Sequence, residues 1–525
     1  VIALAFAGCA RDVTLPEYGG WPLWVAADAL EPVDLGHRPK RVAVEPAGPL
    51  RFVDETVARG LGEAAGGGNQ HGVAVALVDV DADGDPDALF ANGTSNVTGR
   101  SEPSTLWRND GGVFVDATDA LGGALDGRDT YAVAAGDVDA DGDVDLYVAA
   151  QPTNVLLRNR GDGSFEDATT EAGAAARRSD PALVADGRGK IVAIDDVDGD
   201  GALDLLSATS TQPAPGATLL RNRGDGTFED ATDAFGARID DTGNPCAVLF
   251  TDYDNDGLRD LWIWNDRGGH TLLHHDGERW EDFGDDADRV DIRNAMGIDA
   301  ADLDRDGDLD YYVGNIGPHP LLENLGNGTF IDLSRAAGTT GEYGWGIGFR
   351  DFDLDGWTDL LVTQEDTRPT LVYRNRGDST FARGERPGPP LGDGAAAHNV
   401  PAAFGDVDGD GRTDALLART DGSRVQLLRN VTALGGRRWL DVVVDSDPAT
   451  GARGGVGARV VVEVGGAVQF QELHGGASRA SQNELVARFG LDGWDGADLV
   501  VVALPGGELR AYADVPAGTL RVRGD

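Results

Sequence analysis

Two cysteines, Cys9 and Cys246, are all that this 525-residue chain contains. That is too few for a disulfide framework once either is used otherwise. Basic residues are also scarce: 44 Lys and Arg stand against 90 Asp and Glu, a formal net charge of −46. A surface this acidic repels nucleic acid and anionic lipid, so neither is an expected partner. No apolar run approaches the ~18 residues of a membrane-spanning helix. The short signatures of common chemistry are missing too, with no G-x-S-x-G elbow, no H-E-x-x-H helix and no phosphate-binding loop. The expectation is a protein that binds rather than catalyses.

What the chain does have is acid in one arrangement. Asp137-Val138-Asp139-Ala140-Asp141-Gly142-Asp143-Val144-Asp145 reads D-x-D-x-D-G-x-x-D. Carboxylates at positions 1, 3 and 5 converge, glycine at 6 allows a sharp turn, position 7 offers its carbonyl, and Asp at 9 closes the shell. Hard oxygen ligands in a short loop are what Ca²⁺ requires. The pattern occurs seven times, at intervals of 49 to 59 residues. The four carboxylates are Asp79, Asp81, Asp83 and Asp87 in loop 1, and Asp137, Asp139, Asp141 and Asp145 in loop 2. Loop 3 has Asp196, Asp198, Asp200 and Asp204, and loop 4 has Asp252, Asp254, Asp256 and Asp260. Loop 5 has Asp302, Asp304, Asp306 and Asp310; loop 6 has Asp351, Asp353, Asp355 and Asp359; loop 7 has Asp406, Asp408, Asp410 and Asp414. Position 7 is Asp85, Asp143, Ala202, Leu258, Asp308, Trp357 or Arg412. One Ca²⁺ per loop, about seven in all, is the expectation. Solvated acidic turns without metal are the bland alternative.

Each loop sits inside a larger repeat. A strand of small and apolar residues leads in, as in Ala132–Gly136, and another follows from Asp145 to Ala149. A third ends in Leu-x-Arg-Asn, for example Leu156-Leu157-Arg158-Asn159, and a glycine turn leads to Phe165-Glu166-Asp167-Ala168-Thr169. Four short strands repeated seven times predict an all-β, seven-bladed β-propeller over residues 51–432. The last unit lacks its Phe-x-Asp-x-Thr strand, and an orphan copy, Phe52–Thr56, precedes loop 1. That strand is expected to complete the last blade.

These units resemble the FG-GAP/VCBS propellers, which are similar to the calcium-binding blades of integrin α-chains. The resemblance covers about residues 50–432 and implies that each Asp quartet binds Ca²⁺. After a linker at 433–438, residues 439–525 carry Gly455-Val456-Gly457-Ala458-Arg459-Val460, Ser481-Gln482, Arg488-Phe489-Gly490-Leu491 and Leu504-Pro505-Gly506-Gly507 in the order of the ASPIC/UnbV domain. That domain follows such propellers in the cartilage acidic protein family; Leu504 stands where the family usually has Trp. Alternating runs at Arg459–Val464 and Leu499–Ala503 predict a small β-sandwich or barrel.

Residues 1–9 read as the end of a lipoprotein-type signal, with Cys9 lipidated; an ordinary secretory apolar run or a buried strand is the alternative. Residues 10–50 read as a tether or an irregular segment wrapping the main domain. Eight residues before the loops stand His71, Asp129, Arg188, Asn244, Asn294, Tyr343 and His398. At the start of seven inner strands they would ring the channel mouth opposite the loops, where a sugar or peptide could dock; polar strand ends without a ligand are the alternative. His274-His275-Asp276 reads as a degenerate turn and Cys246 as a buried small hydrophobe. The chain is thus expected to be an exported calcium-dependent binding or adhesion protein, at a bacterial outer membrane or cell surface or secreted, with an extracellular protein or glycan ligand. The alternatives are a lyase-like polysaccharide enzyme and a purely structural surface or matrix component.

Overall fold

Each acidic loop is the hairpin turn between two buried strands in the computed structural model of the protein. That structure describes residues 2–4, 13–15, 32–63, 73–93, 102–176, 190–209, 216–237, 245–266, 269–283, 292, 294–326, 328–364, 368–384, 399–419, 425–446 and 455–523. Seven antiparallel sheets of four strands repeat along the chain. Blade 1 comprises Ala74–Val78, Asp87–Ala91, Thr105–Asn109 and Phe114–Asp116. The inner strands of blades 2 to 7 are Asp129–Gly136, Lys190–Asp195, Pro245–Thr251, Ala295–Ala301, Gly344–Arg350 and Asn399–Gly405. Inner strands of adjacent blades touch all the way round, blade 7 against blade 1 included, so the sheets close into a propeller.

The crowding explains the small residues of these strands. A Cβ on Gly348 would lie 2.3 Å from the Phe404 ring of the next blade. The outer strand of blade 7 is Phe52–Asp54, paired antiparallel with Gln426–Asn430 in the register Asn430↔Phe52 and Leu428↔Asp54. The two ends of the propeller segment thus share one sheet, and blade 7 has its full four strands, with the Gln426–Asn430 edge covered.

The C-terminal domain has two sheets. Strands Leu509–Pro516, Gly496–Ala503, Arg459–Val464 and Ala467–Glu472 form the larger, and Ala487–Gly490, Trp439–Asp445 and Gly518–Arg523 the smaller. The runs at Arg459–Val464 and Leu499–Ala503 are not half-exposed alternations. Val460, Val462, Val500 and Val502 face the domain's own core. Val461, Leu499 and Val501 join the cluster built on Trp262, Trp264 and Tyr311 of the propeller. A strand buried on both faces needs apolar residues at every position.

Residues 32–48 correct the tether reading. Val33–Asp34 adds a parallel edge strand beside Tyr512 and Ala513. The segment continues along this domain through Leu35 N–H to Ala513 (3.0 Å) and a His37–Asp495 contact (3.0 Å). Near the N-terminus Ile2–Leu4 pairs with Val13–Leu15, and Cys9 lies outside the described residues.

A segment of the C-terminal domain also enters the propeller axis. Gln482 lies parallel to Ala76, accepting from Leu77 N–H and donating to the Val75 carbonyl, both at 3.0 Å. Its Oε1 accepts from Ala135 N–H of blade 2. The Gly475 carbonyl accepts from Ile194 N–H (2.7 Å), Ser478 Oγ from Ile347 N–H (2.6 Å) and Asn483 Oδ1 from Phe404 N–H (3.0 Å). Arg479 stacks on Trp345 at 4.3 Å and reaches the Met296 carbonyl at 3.4 Å. Residues 475–483 therefore supply partners to inner-strand groups that a closed ring turns toward its axis, where an unpaired N–H is costly.

Two truncations and one substitution test these contacts by thermal unfolding and light scattering. Removing residues 1–48 should lower the melting temperature by several degrees, because the edge strand is lost. Removing residues 1–57 should cost more and cause aggregation through the bare Gln426–Asn430 edge. Gln482→Ala should destabilise by about 2–4 kcal/mol, since it strands the Ala135 N–H of blade 2 and partners within the plug, while the main-chain bonds to blade 1 remain.

Candidate metal centres

Nine residues with four carboxylates form a tight turn only if backbone donors hold them, and the same donors recur. The position 1 carboxylate accepts from the position 6 glycine N–H in loops 1, 2, 3, 4, 6 and 7, at 2.6–3.1 Å. The position 5 carboxylate accepts from the position 7 N–H in all seven loops, at 2.8–3.0 Å. This fixes the backbone of Asp85, Asp143, Ala202, Leu258, Asp308, Trp357 and Arg412. The position 9 Asp accepts from the position 2 N–H in every loop. Its other oxygen accepts the main-chain N–H of the residue that ends the third strand: Asn109, Asn159, Asn222, His275, Asn324, Asn375 or Asn430, at 2.6–2.9 Å.

That Asn is also the link between blades. Its side-chain Nδ2 donates to the position 2 carbonyl of the preceding blade's loop, at 2.7–3.3 Å. Asn159 reaches Val80, Asn222 reaches Val138, and Asn109 of blade 1 reaches Val407 of blade 7. The glycine turn beyond it packs on the same neighbour. Gly226 has φ +73°, and a Cβ there would sit 2.5 Å from Asp139 Cβ. Blade 4 breaks the pattern. His275 stands in place of Asn, and both its ring nitrogens are buried without a hydrogen-bond partner.

One oxygen each from Asp79, Asp81 and Asp87 lies within 4.8 Å of the others, as in Asp137/Asp139/Asp145 and Asp196/Asp198/Asp204. Burial raises the carboxyls at position 9: Asp87 to about 7 and Asp204 to about 8. Asp260 rises to about 6 through burial, opposed by its hydrogen bond from His274. The donor set fits a hard cation. In loops 1, 5, 6 and 7 the Oδ1 of Asp81, Asp304, Asp353 and Asp408 is buried without a hydrogen-bond partner. Buried carboxylate oxygens of this kind call for a cation to complete them.

The loops also dock the C-terminal domain, which a reading of them as closed metal turns misses. Arg459 pairs with Asp252 of loop 4. Arg437 lies 3.3 Å from Asp353 of loop 6, and Arg488 lies 3.7 Å from Asp406 of loop 7. Glu484 Oε2 accepts from Asp406 N–H at 3.0 Å. Arg259, at position 8 of loop 4, donates to Glu472 of the domain at 2.7 Å and lies 3.5 Å from Asp195. No repeat announces these residues; the one signal is that arginine stands inside otherwise apolar runs.

Of the seven residues expected to ring the far mouth, three are described. Asp129 begins its inner strand. Asn294 and Tyr343 each precede one with positive φ, +65° and +60°, and Arg368 lies 4.1 Å over the Tyr343 ring. His71, Arg188, Asn244 and His398 lie outside the described residues. His274 takes the repeat's Arg position, 3.2 Å from Asp260, and Cys246 is buried beside Met296 and Trp345.

Fold and loops together define a β-propeller of acidic hairpin loops carrying a β-sandwich domain. The chain belongs to the FG-GAP-like repeat family, which it matches at residues 79–148, 137–188, 196–263, 252–313 and 351–417, and it carries an ASPIC and UnbV domain at 449–522. It is similar to cartilage acidic protein 1 of Xenopus tropicalis, 26% identical over 284 residues, 48% of this chain and 43% of that protein. The Homo sapiens protein is 24% identical over 286 residues, 48% of this chain and 42% of that protein. The chain thus spans less than half the length of these relatives. Among solved structures, an Agrocybe aegerita lectin that recognises terminal N-acetylglucosamine matches at 20% identity and TM-score 0.40, covering 66% of this chain and 91% of that one. BBS1N, in complex with ARL6DN, matches at 11% identity and TM-score 0.41, covering 71% and 94%.

The blade links have a direct test. Asn324→Ala leaves the Tyr253 carbonyl without its donor and should destabilise by about 1–3 kcal/mol. His275→Asn supplies the missing amide beneath the Val197 carbonyl and should stabilise by about 1 kcal/mol. Urea unfolding of both variants reads the difference, and a neutral His275→Asn would mean that blade 4 is joined in another way.

Proposed function

We propose that the protein is an exported, calcium-dependent binding or adhesion protein in which Ca²⁺ is structural. The observation that carries this is the buried, partnerless oxygen of the position 3 Asp in loops 1, 5, 6 and 7, which in loop 1 belongs to a residue clustered with the carboxylates of positions 1 and 9. Asp at positions 1, 3, 5 and 9 and the position 7 carbonyl would hold the ion. Calcium would cancel charge and pin each hairpin. Because the C-terminal domain docks on the loop side, an extracellular protein or glycan would bind at the opposite mouth, toward Asp129, Asn294 and Tyr343. No helix among the described residues is long and apolar enough to cross a membrane; any membrane attachment would come from a lipid at Cys9.

Metal that binds the folded state alone raises stability by mass action. Chelation with EDTA should therefore lower the melting temperature by more than about 10 °C. Metal analysis of calcium-saturated protein should find an ion in most loops, with Kd on the order of 10⁻⁴–10⁻³ M. A melting temperature that ignores EDTA, or protein that retains almost no calcium at saturation, would remove this reading.

A further inference from the structure

The seven loops share their ligand positions and differ in the cation the protein already places beside them. The difference originates at one repeat position, the residue before the Asn that ends the third strand. It is Arg108, Arg158, Arg221, His274, Glu323, Arg374 and Arg429 in blades 1 to 7. The basic side chains here lean on the loop of their own blade. Arg158 lies 2.7 Å from Asp139, Arg221 lies 2.5 Å from Asp198 and 2.8 Å from Asp200, and Arg374 lies 2.6 Å from Asp353.

Loop 7 is the extreme in one direction. Arg429 lies 2.5 Å from Asp408 and 2.7 Å from Asp410. Arg59, arriving from the N-terminal side, lies 2.7 Å from Asp408, and Arg412 of the loop itself pairs with Asp410. Arg488 of the C-terminal domain completes the set beside Asp406. Three of the loop's four carboxylates thus have a guanidinium beside them, which offsets much of the loop's charge without metal, although Arg59 also pairs with Glu55 and Arg488 with Asp441 and Glu484.

Loop 5 is the extreme in the other. Its basic position holds Glu323, an additional carboxylate, and Asp308 at position 7 adds another. Among the described residues no basic side chain lies within ion-pair distance of Asp302, Asp304, Asp306, Asp308 or Asp310. Arg305, inside the loop, turns away; it stacks on Trp357 at 3.6 Å and donates to the Gly356 carbonyl of loop 6. Asp302 is 6% exposed, and its Oδ2, like Asp304 Oδ1, is buried without a hydrogen-bond partner. Carboxylate count and charge set the affinity of an oxygen site for Ca²⁺. An ion entering loop 5 meets carboxylates alone, whereas one entering loop 7 finds Asp408 Oδ2 and Asp410 Oδ2 already held by arginines, with Asp408 Oδ1 left without a partner, and must displace those arginines or sit beside them.

We propose that loop 5 is the tight calcium site of this chain, and that loop 7 takes no calcium at millimolar concentration because its arginines stand in for the ion. The proposal rests on the reading of the loops as calcium sites. In equilibrium dialysis of the full chain against graded free Ca²⁺, one ion should bind well before the others, and one loop should stay empty. Glu323→Arg, which installs the residue most other blades carry, should weaken the first step by at least about tenfold. Arg429→Glu should add one ion at saturation. The unmodified protein provides a check independent of variant folding: at limiting Tb³⁺, anomalous scattering from crystals should place the ion in loop 5 and none in loop 7. Equal filling of all loops, first filling of loop 7, or a first step unchanged in folded Glu323→Arg would overturn the proposal while leaving the calcium reading intact. Absence of any bound ion would overturn both.

Discussion

Four carboxylates confined to nine residues repel one another, and the rest of the molecule is arranged around holding them together. Backbone N–H groups at positions 2, 5, 6 and 7 do part of this by closing the turn on its own side chains. The third strand does another part, because the residue that ends it donates its main-chain N–H to the position 9 Asp. Each loop is thereby tied to a strand well beyond it in the chain. The recurring Leu-x-Arg-Asn is the consequence: Leu enters the core, Arg leans on the loop, and Asn joins two blades. A propeller blade shares no main-chain ladder with its neighbour, so these side-chain links and the packed inner strands are what make a ring from separate sheets.

The ring leaves a second problem, at its axis. Inner strands that close into a ring turn main-chain N–H groups toward its axis, and these need polar partners. The C-terminal domain answers this with backbone and amide groups. Gln482 uses both ends of its side chain: Oε1 accepts from Ala135 and Gly476, and Nε2 donates to the carbonyls of His474 and Asn483. Around this plug the domain lays one apolar sheet face on blades 4 and 5 and sends arginines into loops 4, 6 and 7. The domain is thus part of the propeller's closure and not an appendage joined by a linker.

Much of this was legible in the sequence wherever a feature recurred. The D-x-D-x-D-G-x-x-D hairpins, the four-stranded units and the orphan Phe52 strand are each one instance of a repeated pattern, and repetition separates a signal from chance. The features that escaped occur once. Ser481-Gln482 read as a family signature without a role, because nothing local says that a glutamine will lie across two blades of another domain. Residues 32–48 read as a tether or an irregular wrapping segment because their partners, in 433–435 and 492–514, lie hundreds of residues away in the chain. The alternating runs at Arg459–Val464 and Leu499–Ala503 point to a β-sandwich or barrel, but not to burial of both strand faces, because the second buried face comes from tertiary packing.

Repeats also make their exceptions informative. Where most blades carry the same residue, a departure has a built-in control in its neighbours. His275 shows what the Asn does by failing to do it: the fold survives with one link missing, so the ring's closure is distributed over many bonds. Glu323 does the same for the basic position. Blade 5 keeps its sheet, its position 9 hydrogen bonds and its Asn324 link with Glu323 in place of that arginine. The arginine is therefore not needed to form the turn, and its task is electrostatic. A ring of near-identical units can in this way keep one backbone while its charge balance is set loop by loop, through a side chain that touches the loop but does not build it.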